Sequence, residues 1–179
     1  INIAFTVGAL FHMAASPDYV RWPAKNAVGA AWWTMGDNWE STVLFFMTFT
    51  QFITSGLVFS FGAGFNRTIF RNWLLCLVWG GLFALTLFLL LSAPNAATFV
   101  FHVASQRYNG PQTDSPVWMA YQKAGGSPSN GMSLSFRVGL LGFILGNVAA
   151  VAIYQAGIVG PLGNAARRLR PSKRPRFRL

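Results

Sequence analysis

Three stretches of this chain carry no charge over the lengths that a bilayer selects. Thr42–Phe61 runs for twenty residues, Trp73–Ala93 for twenty-one and Val138–Gly160 for twenty-three. An α-helix rises about 1.5 Å per residue, so about twenty apolar residues cross a hydrocarbon core of about 30 Å. Membrane strands are about ten residues long and alternate in polarity, which these blocks do not. The competing reading, core helices of a large soluble protein, meets a shortage of charge. Charged residues make up 10% of the chain and hydrophobic residues 53%, against about 25% charged in an ordinary soluble domain. Asp18, Asp37, Glu40 and Asp114 are its four acidic residues, too few to build a water-facing surface.

A fourth apolar block, "INIAFTVGALFHMAA" (Ile1–Ala15), reaches only about 22 Å and falls short of the core. It has no basic leader, so it reads as part of a transmembrane helix and not as a signal peptide. The fold class expected is therefore all-α and membrane-integral, a bundle of one partial and three full transmembrane helices. The division is 1–15 (partial helix), 16–41 (loop), 42–61 (helix), 62–72 (loop), 73–93 (helix), 94–137 (loop), 138–160 (helix) and 161–179 (tail). The single cysteine, Cys76, has no intrachain partner for a disulfide.

Charge distribution sets the orientation. Loop 62–72 and the tail lie on one side by parity, and together hold Arg67, Arg71, Arg167, Arg168, Arg170, Lys173, Arg174, Arg176 and Arg178. The two long loops hold Arg21, Lys25, Arg107, Lys123 and Arg137 over more than twice the length. By the positive-inside rule the tail and the short loop face the cytosol, and the long loops are exoplasmic or lumenal.

The tail, "RRLRPSKRPRFRL", holds seven of the fourteen basic residues. Beside a bilayer the nearest polyanion is the cytoplasmic leaflet, where each Lys or Arg contributes about 1 kcal/mol. Arg167, Arg168, Arg170, Lys173, Arg174, Arg176 and Arg178 are thus expected to contact anionic lipid. No folded reader module accompanies them, so nucleic acid is not an expected partner. Pro171 and Pro175 break any continuous helix there. In the last long loop, Phe99, Phe101, Tyr108, Trp118 and Tyr121 surround a Gly/Ser/Pro segment, Ala124–Gly131, and read as interfacial anchors.

Catalytic and metal constellations are not legible. His12 and His102 stand far apart without a Cys/His/carboxylate cluster. "GAGFNR" (Gly62–Arg67) is superficially similar to a Gly-rich phosphate loop, but it follows an apolar helix and not a strand. No catalytic, cofactor or metal residue is assigned. What remains is polarity within the helices. Thr48, Gln51 and Ser55 share a helix face, and Asn147 and Gln155 lie in the last helix. Such residues either hydrogen-bond a neighbouring helix or line a solute path. Two ladders of small residues at intervals of four, Gly142/Gly146/Ala150 and Cys76/Gly80/Ala84, are expected to mark close helix contacts.

One segment carries a family resemblance. "DNWESTVLFFMTFTQFI" (Asp37–Ile53) resembles the start of the eighth transmembrane helix in type-five, subclass-B P-type ATPases. Asn38, Trp39, Glu40 and Thr42 match the family's Asn-aromatic-Glu-Asn-Thr stretch, with Ser41 in place of its usual Asn. Gln51 and Phe52, beside Phe49, match the Phe-Gln-aromatic end. "GAGFNRTIFRN" and "RRLRPSKRPRF" are similar to the loop before the ninth helix and to the tail after the tenth. Loop 94–137 is longer than that pattern. The resemblance covers about half the chain and implies the end of the seventh helix through the tenth, with a cytosolic C-terminus.

It further implies a pump that uses ATP and Mg to move polyamines or another cation to the cytosol from an endolysosomal or related membrane. Phosphorylation and nucleotide binding would lie in other parts of such a pump, with no cofactor held by this segment. Its partners would be the lipid bilayer and the pump's remaining helices and cytosolic domains. Glu40 would stand at the lumenal mouth as an exposed carboxylate attracting cations. The alternative is a stand-alone tetraspan scaffold, or a small channel or transporter subunit.

Overall fold

The computed structural model describes residues 1–21, 38–60, 73–93, 95–101, 103, 123, 131–162 and 165. Most of these residues are helical and none is in a strand. The helices are α1 (Asn2–Ala14), α2 (Trp39–Ser60), α3 (Trp73–Leu91), the short α4 (Ala96–Val100) and α5 (Leu134–Tyr154). A π-helical turn, Gln155–Val159, follows α5 directly.

Local capping explains where α2 and α5 begin, three or four residues before their uncharged blocks. Asn38 Oδ1 accepts from the Ser41 amide at 2.7 Å and Asn38 O from the Thr42 amide at 3.1 Å, with Glu40 in the first turn. A capping side chain and an early carboxylate both satisfy a helix N-terminus. Ser133, extended at φ −61 and ψ 152, caps α5 and accepts from the Phe136 amide. Asn95 does the same for α4, accepting from the amides of Ala97 and Thr98, while Thr98 Oγ1 returns a bond to Asn95 O.

Side-chain contacts give the directions. Gln51, just past the middle of α2, bonds Asn2 and Thr6 at the start of α1, whereas Glu40 at the start of α2 bonds Tyr19 beyond the end of α1, so these helices are antiparallel. Asn147 late in α5 meets Asn2, whereas His12 stacks on Phe136 early in α5. At that same end Arg137 of α5 reaches Ser92, just past α3. The ends of α1 and α3 thus lie with the starts of α2 and α5, as alternating spans require. Helices α2 and α5 pack against each other, and α1 and α3 each pack against both.

The core between them is formed by Ala9 and Met13 of α1, Trp39, Val43, Phe46 and Met47 of α2, Leu89 and Leu90 of α3, and Phe136, Leu140 and Ile144 of α5. The outside is also apolar. Trp73 is 71% exposed, Leu77 61%, Phe52 74% and Ile153 71%. Trp73–Leu91 and Leu134–Leu162 are long and apolar enough to cross a membrane, yet only 17% and 22% of their spans are buried. A core helix of a soluble protein hides its apolar face, and these two do not.

The seam between α1 and α5 is built by rings seated on glycines. A β-carbon on Gly146 would stand 2.9 Å from Phe5, and one on Gly8 2.9 Å from Phe143. One on Gly139 would overlap His12 Nε2. The small-residue ladders are corrected accordingly. Gly146 is a contact, but Gly142 and Gly80 face open space, and Ala84 is exposed. An interval of four identifies a helix face without saying whether a neighbour covers it.

Candidate functional site

Polar side chains of three helices converge where the start of α1 meets the later parts of α2 and α5. Gln51 Nε2 donates to Thr6 Oγ1 at 2.9 Å and to Asn2 O at 3.1 Å. Thr6 Oγ1 donates in turn to Asn2 O at 3.1 Å, and Asn147 Nδ2 donates to Asn2 Oδ1 at 3.1 Å. Asn147 is 1% exposed, and its Oδ1 accepts from none of the described residues. Buried polar groups are usually hydrogen-bonded, and this network ties α1, α2 and α5 together.

Two of the four residues, Gln51 and Asn147, are legible in the sequence by their isolation within apolar blocks. Asn2 and Thr6 are not singled out, although their spacing of four in "NIAFT" places them on one helix face. The Thr48/Gln51/Ser55 stripe is only partly inside. Gln51 and Ser55 are half-buried, but Thr48 is exposed. The polar residues most enclosed on α2 are Thr42, Thr50 and Thr54, each 1–2% exposed. Thr50 Oγ1 satisfies itself by donating to Phe46 O at 2.7 Å, a back-bond common for threonine in apolar helices.

Glu40 is not the freely exposed carboxylate expected of a lumenal mouth. It is half-buried, and its Oε1 accepts from Tyr19 Oη at 2.6 Å. Trp39, 2% exposed, packs beside it against Phe136 at 4.8 Å and Tyr19 at 6.0 Å. The matched residues Asn38, Trp39, Glu40 and Gln51 therefore have structural tasks here: a cap, a core ring, a link to the end of α1 and a link to its start. Phe101 is 42% exposed with its ring 6.2 Å from Phe45. Tyr108, Trp118, Tyr121 and the basic residues Arg167, Arg168, Arg170, Lys173, Arg174, Arg176 and Arg178 lie outside the described residues, as does the side chain of Phe99.

Openings among the described residues border the bundle. A cleft of about 230 Å³ at the end of α1 is lined by His12, Ser16, Asp18, Ser133, Ser135 and Phe136, among others. A groove of about 210 Å³ between α2 and α3 is lined by Phe52, Ile53, Gly56, Leu75, Val78, Trp79 and Leu82. Among the described residues no group of three or more His, Cys, Asp or Glu side chains could hold a metal. No protein-family model, curated protein or solved structure matches this chain.

Proposed function

We propose that this chain is a membrane-embedded helix bundle serving as the C-terminal support segment of an ATP-driven cation pump of the polyamine-transporting kind. The observation that carries the membrane part is an inverted polarity. Apolar side chains cover the outside of α3 and α5, while Gln51, Asn147, Thr6 and Asn2 bond one another between helices. Lipid rewards that arrangement and water penalises it. The spans are then α1 in part and α2, α3 and α5 in full.

The pump part rests on the resemblance of Asp37–Ile53. Asn38, Trp39, Glu40 and Gln51 each make a defined contact within the bundle, which suits a support segment and does not distinguish a pump from a scaffold. In this reading Gln51 and Asn147 pack the helices and border the solute path. The basic tail holds anionic lipid on the cytosolic face, and ATP and Mg act in other domains of an endomembrane pump. A stand-alone tetraspan scaffold or channel subunit shares the membrane fold but needs no ATP.

The test is to express the complete gene product in microsomes and supply radiolabelled ATP. A pump gives an acid-stable, hydroxylamine-sensitive phosphoprotein whose level responds to polyamine. A complete product that forms no such intermediate supports the scaffold reading instead.

A further inference from the structure

We infer that Arg137 binds the phosphate group of a bilayer phospholipid at the rim where α3 ends and α5 begins. The inference rests on the membrane part of the proposed function and not on the pump part.

Arg137 stands in the first turn of α5 and is half-buried. Its Nε donates to Met132 O at 3.1 Å and its Nη1 to Ser92 O at 2.9 Å. Those carbonyls fix the guanidinium in place but carry no net charge to offset it. The described carboxylates are Asp18 and Glu40, and neither pairs with Arg137. Asp18 lines the cleft at the end of α1, and Glu40 accepts from Tyr19. Nη2 bonds none of the described residues. The position adds to the charge. No acidic residue lies in the first turn of α5, and a cation there faces the positive end of the helix dipole. Among the described residues, this cation is held by the protein and left without a counter-ion.

The surroundings point to the source of the anion. Leu134 and Val138, which flank Arg137 on α5, are each more than half exposed, and Phe88 and Leu91 at the end of α3 are exposed as well. In a bilayer, lipid chains therefore border Arg137 on both helices. Leu134–Leu162 has 29 residues, about 43 Å of helix against a hydrocarbon core of about 30 Å, so its first turn reaches the headgroup layer. An arginine among lipid chains extends its charge to that layer. The anion found there is the lipid phosphate. The hydrogens of Nη2, with the second one of Nη1, form the kind of fork that takes two phosphate oxygens. Because two carbonyls already hold the side chain, little rotamer freedom is left to lose when the lipid binds.

The experiment follows thermal unfolding of the full chain, stripped of lipid in a neutral maltoside detergent, by tryptophan fluorescence. The probes are dioctanoylphosphatidylcholine, dioctanoylglycerol, which has the same chains without phosphate, and inorganic phosphate. At about 100 times its dissociation constant the phospholipid should raise the melting temperature by about 5 °C or more, and dioctanoylglycerol should not. Arg137→Gln should abolish that rise, whatever its own melting temperature. Leu134→Glu keeps the arginine and sets a carboxylate one turn away at an exposed position. It should leave the starting melting temperature unchanged or higher and cut the rise to less than half. An equal rise with dioctanoylglycerol, or an undiminished rise in either variant, overturns the inference. A rise with inorganic phosphate as large as with the phospholipid overturns the assignment to lipid. A chain that stays soluble and monomeric without detergent removes the membrane reading itself, whereas a detergent-bound chain indifferent to phosphate removes this inference alone.

Discussion

The ring of Phe5 lies over Gly146, so close that a β-carbon on that glycine would stand 2.9 Å from Phe5 Cε1. Two turns along, His12 occupies the equivalent place over Gly139. Gly142 lies between them in sequence on α5 but faces open space. Gly139→Ala and Gly146→Ala should each destabilise the bundle. Overpacking costs about 1–3 kcal/mol, less up to about 1 kcal/mol regained from helix propensity. Gly142→Ala has only the gain and should be neutral or stabilising. Thermal unfolding in detergent, read by tryptophan fluorescence, checks the contrast, and a Gly142→Ala loss equal to the other two would contradict the seam.

Gln51 spends both hydrogens of its amide on α1. Gln51→Leu should cost about 1–3 kcal/mol, because Thr6 Oγ1 and Asn2 O lose a donor where water is scarce. If the chain is part of a polyamine pump, as proposed, the polyamine concentration for half-maximal ATPase should stay unchanged when Gln51 only packs. A raised concentration with unchanged melting would instead place Gln51 on the solute path.

Arg137 is the clamp between α3 and α5. Arg137→Gln should lower stability by about 1–3 kcal/mol through the lost charge-assisted bonds. The loss should be nearly independent of salt, because a half-buried contact to backbone carbonyls is screened less than a surface ion pair. Melting curves at 50 and 500 mM NaCl measure this, and a loss that vanishes at high salt would reassign Arg137 to surface electrostatics.

Asn66 begins "NRT", a formal glycosylation acceptor that lies outside the described residues. The positive-inside rule leads us to expect it on the cytosolic side, in which case the intact protein should carry no glycan there. A glycosidase-sensitive mass shift abolished by Asn66→Gln would invert the topology.

The tail makes a separate prediction. A peptide spanning residues 161–179 should bind vesicles containing phosphatidylserine and lose affinity as salt rises. Replacing Arg174, Arg176 and Arg178 by Gln should weaken it roughly in proportion to charge. Equal binding to neutral and anionic vesicles would exclude electrostatic anchoring.

The sequence by itself determined the four longer helices, α1, α2, α3 and α5, but not the short α4, which lies in a stretch read as loop. Uncharged runs of about twenty residues specify a helix without reference to any neighbour, because their length and composition suffice. It also marked Gln51 and Asn147, since an amide within an apolar run must be paired. What it could not decide was which face of each helix meets another. Thr48 shares a stripe with Gln51 yet is exposed, and Glu40 is tied to Tyr19 instead of standing free. Gly80 repeats as regularly as Gly146, but a β-carbon there would meet open space. In an outwardly apolar bundle the hydrophobic pattern no longer separates inside from outside, and α3 is apolar all round. Only the tertiary packing of ring on glycine and amide on amide chose the seams, because close fit is the main discriminating force between helices when the surroundings are as apolar as the core.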